Sequence, residues 1–136
     1  MGGLRLKKIY LFDTHGLIFW SARESVSDAF IAFFDKEEQK GNLLVSSISF
    51  WEIALLVKKG KIAISDMHRW KDEILNYTNI KLVRPSVSEM INSTLLPDLH
   101  KDPFDRLLIA QARHREAILV TRDALIQQYD IPTFWL

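Results

Sequence analysis

The sequence predicts a single α/β domain with a central parallel sheet of four to five strands, covered by helices on both faces. Short apolar runs alternate along the chain with longer stretches of helical periodicity, the pattern of repeated strand–helix units. Those apolar runs show little inside–outside alternation, which marks strands buried on both faces. The length of 136 residues, with 48% hydrophobic and 26% charged, suits one packed core over residues 1–136 and leaves little room for a second.

The elements follow in order. Lys8 to Phe12 reads as a buried strand ending at Asp13-Thr14-His15-Gly16. Leu17 to Trp20 starts a short helix. Ser25 to Lys40 is amphipathic, with Val26, Phe30, Phe33 and Phe34 on one face and Gly41 closing it. Leu43 to Val45 is a second strand, and the serines 46, 47 and 49 lead into a helix over Phe50 to Lys59, stopped by Gly60. Ser65 caps a helix carrying Met67, Trp70, Ile74 and Tyr77. Ile80 to Val83 is the third strand, ended by Pro85. Ser86 and Glu89 have the spacing of a capping box, and their helix runs to about Leu96. Asp102-Pro103 sets an N-cap and a first-turn proline before a helix to about Arg115. Ala117 to Val120 is the fourth strand, Asp123 to Tyr129 a short helix, and Thr133 to Trp135 a last strand. The aromatic residues Trp20, Phe33, Phe34, Trp51, Trp70 and Trp135 are mostly core by spacing.

Composition removes several chemistries. There is no cysteine, so disulfide scaffolds, zinc–thiolate sites and cysteine nucleophiles are excluded, and a cytoplasmic address fits. The run Ile9 to Phe12 is too short for a signal sequence or a membrane span. Met1-Gly2 opens like a myristoylation signal, but position 6 is Leu. A net charge of +1 neither suggests nor excludes a nucleic-acid partner, because a basic face can hide in a neutral total.

Function is sought at the carboxyl ends of the strands, where open α/β sheets bind ligands. Asp13 directly follows the first strand, and Asp123 follows the fourth. Glu52 lies in the first turn of the helix after the second strand, and Asp105 in the first turn of the helix begun by Asp102-Pro103. Taken singly, Asp123 reads as a cap and Glu52 and Asp105 as acids favoured by helix dipoles. Asp102 reads as a cap in any case. Taken together, the acids converge if the helix of Asp105 sets its N-terminus at the same sheet edge. Two carboxylates about 5 Å apart at an effective dielectric near 20 repel by roughly 3 kcal/mol. Such a cluster therefore needs a cation, a bound proton or a basic partner. Oxygen ligands without a His or Cys set favour Mg²⁺ or Mn²⁺ over zinc.

The motifs carrying these acids form an ordered set. Tyr10-Leu11-Phe12-Asp13-Thr14-His15 opens it, and Ser46-Ser47-Ile48-Ser49-Phe50-Trp51-Glu52-Ile53-Ala54 and Lys59-Gly60-Lys61-Ile62 follow. His100-Lys101-Asp102-Pro103-Phe104-Asp105-Arg106-Leu107-Leu108-Ile109-Ala110-Gln111-Ala112 is the most specific, and Leu119-Val120-Thr121-Arg122-Asp123 closes the set. The chain resembles the PIN-domain family, in particular the VapC-like toxins of bacterial toxin–antitoxin pairs. Arg122 departs from the resemblance, standing where a small or polar residue is expected.

The resemblance implies a three-layer αβα fold, Mg²⁺- or Mn²⁺-dependent cleavage of RNA, and a VapB-like antitoxin that blocks the site. It carries over Asp13, Glu52, Asp105 and Asp123 as the catalytic, metal-binding acids. Asp13 and Asp105 are expected to be the main ligands, Asp123 to complete the site, and Glu52 to hold water or a second ion. Thr14 and Thr121 are placed to orient these ligands from behind. Lys58, Lys59, Lys61, Arg106, Arg113 and Arg115 are candidates for phosphate contacts, although each equally suits a solvated helix face. A homodimer is expected, with no membrane association. Two rivals remain: a PIN-like module that binds without cutting, and a receiver-type signalling domain. The receiver would want an acid after the third strand, where Val83-Arg84-Pro85 stands.

Overall fold

The computed structural model describes residues 7–136; residues 1–6, with the Met1-Gly2 start, lie outside it. In chain order the elements are β1 (Tyr10–Phe12), α1 (Thr14–Ala22), α2 (Asp28–Gln39), β2 (Leu43–Ser46), α3 (Ser47–Lys58) and α4 (Met67–Tyr77). Then come β3 (Lys81–Val83), α5 (Val87–Thr94), α6 (Pro103–His114), β4 (Ile118–Val120), a 3-10 turn (Ile126–Gln128) and β5 (Thr133–Phe134).

The five strands form one sheet in the order β3-β2-β1-β4-β5, and every neighbouring pair is parallel. Side chains of successive residues leave β1 on opposite faces. Tyr10 and Phe12 pack on one side with Trp20, Phe30, Phe34, Ile53 and Ile74, from α1 to α4. Leu11 packs on the other with Leu96, Leu108, Ile109 and Ala112, from α6 and the loop that follows α5. The sheet is thus covered on both faces, and its strands are the unbroken apolar runs that parallel pairing selects.

The strand order fixes where a ligand can bind. From β1 the chain winds outward through β2 and β3, then returns to place β4 on the other side of β1. At that reversal the loops leaving β1 and β4 diverge and open a crevice beyond their carboxyl ends. The Asp13 N–H donates to Val120 O at 3.0 Å, tying the two strand ends together at its floor.

Several element boundaries differ from the expectation, each for a local reason. Helix α1 begins at Thr14, because Asp13 caps it. Helix α3 begins at Ser47 and is capped by Ser46, which puts Glu52 in the second turn. Asp66, one residue beyond Ser65, caps α4 by accepting from the Arg69 N–H. The final helical segment shrinks to the 3-10 turn. The capping box of Ser86 and Glu89 is present with both reciprocal bonds, and Asp102 caps α6 with Pro103 in its first turn. Trp51 is not core: it is 61% exposed and meets the Phe104 ring edge-on. No helix among the described residues is long and apolar enough to cross a membrane.

Candidate active site

Asp13, Glu52, Asp105 and Asp123 line one cleft of about 400 Å³ together with His15, Phe19, His100, Asp102 and Arg122. Backbone amides hold two of the four acids in place. Asp13 Oδ1 accepts the Gly16 N–H at 2.6 Å. Asp123 Oδ1 accepts the Leu125 and Ile126 N–H groups at 2.8 and 3.2 Å. Each keeps its second oxygen for other partners. Asp13 is therefore a helix cap and a cleft residue at once. Asp102 caps α6 through the Phe104 N–H at 2.8 Å and also lines the cleft.

Two buried hydroxyls support the acids. Thr14 Oγ1 lies 2.6 Å from Glu52 Oε1 and 3.1 Å from Ser49 Oγ. With one proton per hydroxyl, Thr14 donates to Glu52 and Ser49 donates to Thr14. Thr121 Oγ1 accepts the Asp123 N–H at 3.1 Å, and its side chain also bonds Asp13. Thr14 thus contacts Glu52, and Thr121 contacts Asp123 and Asp13.

Gathering these charges has electrostatic consequences. Burial raises the Asp13 carboxyl to about 6, against the lowering effect of its bonds with Thr121 and Gly16. Burial also raises Asp105, to about 8, and the neighbouring Asp102, Glu52, Asp13 and Asp123 charges add to the rise. Both shifts are led by burial of the carboxyl; like-charged neighbours add substantially at Asp105 and only slightly at Asp13.

His100 is the cleft residue that sequence reasoning passed over. It was quoted only as the start of a motif. Its Nδ1 accepts the Asp102 N–H at 3.2 Å, so in the neutral ring the proton sits on Nε2. That nitrogen lies 2.9 Å from Asp105 Oδ2 and 3.6 Å from Asp123 Oδ2. It is buried and off the line of a good hydrogen bond, so the attraction is mainly electrostatic. His100, Asp105 and Asp123 offer ligand atoms within 4.8 Å of one another. Because Nδ1 is an acceptor here, His100 points a hydrogen rather than a lone pair at the acids. The donors left for a metal are carboxylate oxygens, which fit Mg²⁺ or Mn²⁺.

The model of the family described as PIN domain matches residues 10–132. The chain belongs to the PIN domain family. Solved structures agree on the fold. The VapBC2 complex of Rickettsia felis, bound to a DNA fragment from its promoter, aligns with a TM-score of 0.71 at 16% identity, covering 94% of this chain and 99% of that one. A toxin–antitoxin complex from Klebsiella pneumoniae gives 0.65 at 16% identity, covering 92% and 95%. DNA-bound VapBC from Salmonella typhimurium gives 0.66 at 12% identity, covering 94% and 98%. No curated protein matches the chain by sequence.

The basic candidates of this PIN domain lie away from the cleft or are engaged elsewhere. Lys58, Lys59 and Lys61 are exposed at the far end of α3. At 1.5 Å per residue, Lys58 lies about 9 Å along the axis from Glu52. Arg113 and Arg115 are at the C-terminal end of α6, and Arg115 pairs with the buried Glu89 at 3.2 Å. Arg106 turns inward. Its guanidinium donates to the carbonyls of Ser93, Leu96, Pro97 and His100, so it clamps the loop between α5 and α6 rather than facing solvent. A run of Asp-Arg on a helix does not reveal that role, because the carbonyls it serves are brought by a different segment.

Proposed function

We propose that this PIN domain is a Mg²⁺- or Mn²⁺-dependent ribonuclease, the toxin of a VapBC-type toxin–antitoxin pair. The observation that carries the reading is the meeting of Asp13, Glu52, Asp105 and Asp123 in one cleft that raises the carboxyls of Asp13 and Asp105. A structural cap has no need of such company. A divalent ion bound there supplies neutralising charge and Lewis acidity for phosphodiester hydrolysis.

The protein's own residues do the rest. Asp13 and Asp123, fixed by backbone amides, hold two carboxylates at constant positions across the β1–β4 crevice. Asp105 approaches from the first turn of α6 and Glu52 from the second turn of α3. Thr14 orients Glu52, and His100 draws Asp105 and Asp123 toward one point. The test is incubation of total RNA with the pure protein in Mn²⁺, in EDTA, and with Asp13→Asn. Cleavage is expected in Mn²⁺ alone and lost in the other two. Wild-type cutting by Asp13→Asn would refute the assignment, and RNA binding without cutting would favour the non-catalytic module.

One of the three similar solved structures is a toxin–antitoxin complex and the other two are VapBC proteins bound to DNA, and we extend the antitoxin partnership to this chain. A groove of about 710 Å³ between α1 and the segment entering α4 is lined by Ile18, Ile62, Ile64 and Trp70, with Arg69 and Glu73 at its edge. An amphipathic antitoxin helix fits that lining. Titration with the cognate antitoxin is expected to abolish cleavage. A homodimer and a cytoplasmic setting complete the reading. Val87 and Ile91 on α5 and Leu95 at its C-cap stand exposed four residues apart, as a two-fold seam would require. The mass in solution tests that seam.

A further inference from the structure

We infer that Arg122 is the phosphate-binding residue of the cleft, held at its rim by Phe19 and Trp135 to receive the backbone of a single-stranded RNA. The inference rests on the nuclease reading and adds the residue that captures the substrate.

Among the described residues, Arg122 is the only lysine or arginine lining the cleft that contains the four acids. Its guanidinium carbon lies 4.7 Å from the centre of the Phe19 ring and 5.5 Å from that of Trp135. Contacts of that kind attract a cation to the aromatic face and restrict its motion. The sheet sets them up, because Thr121 N–H donates to Phe134 O at 3.1 Å, bringing the residues after β4 and β5 together. Phe19 comes from α1, whose start Asp13 caps.

The charge of Arg122 is not consumed by the acids. Among the described residues it forms no ion pair within 4.0 Å, whereas Arg23, Arg69, Arg106 and Arg115 all do. Its one side-chain hydrogen bond among the described residues is a long one, 3.4 Å, to Ser25 O. A guanidinium has five N–H donors in a planar fork, so most remain available along its edge while its face lies on the rings. That fork matches a phosphate in geometry and charge. An anionic strand approaching four carboxylates is repelled unless a cation receives it. Arg122 is the cation standing there, and the lysines of α3 are not.

The test is equilibrium binding of a fluorescent single-stranded RNA in Ca²⁺, by anisotropy, for wild type, Arg122→Ala, Arg122→Lys and Phe19→Ala, with cleavage in Mn²⁺ measured in parallel. Arg122→Ala is expected to weaken binding about tenfold or more, as for the loss of a charged hydrogen bond. Its slope of log K against log salt should fall by about 0.7, the value for one phosphate contact on a single strand. Arg122→Lys should recover part of the loss, Phe19→Ala should fall between, and in cleavage the change should appear in KM more than in kcat. Unchanged affinity and salt slope in a folded Arg122→Ala protein would overturn the inference while leaving the nuclease reading intact. RNA binding that depends on Arg122 without cleavage in Mn²⁺ would do the opposite. Wild type that binds no RNA would overturn both.

Discussion

Asp105→Asn is expected to stabilise the metal-free protein at alkaline pH while abolishing cleavage. The Asp105 carboxyl rises from 3.8 to about 8 on folding. The folded state therefore binds more protons than the unfolded state between those values, and stability falls as pH rises through that window. At about 1.36 kcal/mol per unit, the ionised group would cost the fold at most about 6 kcal/mol. The ceiling is not reached, because the side chain is 18% exposed and the His100 ring N–H lies 2.9 Å away, favouring the carboxylate. A gain of about 2–3 kcal/mol for Asp105→Asn at pH 9 in EDTA follows from a discount of roughly half. Urea unfolding reads it as a midpoint higher by about 1–2 M, for slopes in the usual range of about 1–3 kcal/mol per M. At pH 5 the two proteins should nearly coincide, because Asp105 is then protonated in the folded wild type. Mn²⁺ at a hundred times its Kd should raise wild type by about 2.7 kcal/mol and the variant by less. If Asp105→Asn is no more stable than wild type at pH 9 in EDTA, the four acids do not burden one another and the electrostatic reasoning fails.

Two further substitutions probe the scaffold around the cleft. In Gly16→Ala the new Cβ would meet Asp13 Oδ1 at 2.9 Å, Phe12 Cδ1 at 3.2 Å and Val120 O at 3.3 Å. Two of those atoms are held by a short bond and a strand, so overpacking should lower stability by about 1–3 kcal/mol and displace Asp13; cleavage at full rate would contradict this. Arg106→Ala takes the guanidinium donors from the carbonyls of Leu96 and His100, while Pro97 O keeps the Tyr129 hydroxyl and Leu99 N–H, and should destabilise by about 2–4 kcal/mol in urea unfolding. Its RNA affinity should match wild type wherever it is folded, and a selective loss of RNA binding would restore Arg106 to the substrate face.

What could be read in the sequence was what depends on near neighbours. The Ser86–Glu89 box, the Asp102-Pro103 start and the apolar strands each declare themselves within a few residues. The four acids were legible because each stands at a fixed offset from a strand end or a helix start, and parallel sheets align those offsets along one edge. What stayed hidden depends on segments that meet only in the fold. His100 owes its place to the Asp102 N–H on one side and to Asp105 and Asp123 on the other. Arg106 and Trp51 were misplaced for the same reason, since periodicity says which face a side chain takes but not what awaits it there. The double use of Asp13 was missed because an acid after a strand looks functional before it looks like a cap.

The order β3-β2-β1-β4-β5 also bears on when the molecule can act. Asp13 is synthesised well before its companion across the crevice, Asp123. A nascent chain thus carries only fragments of the acid cleft until β4 has emerged and docked beside β1. The cleft, on this topology, is completed in one step, and a chain that stops short of β4 holds only part of it.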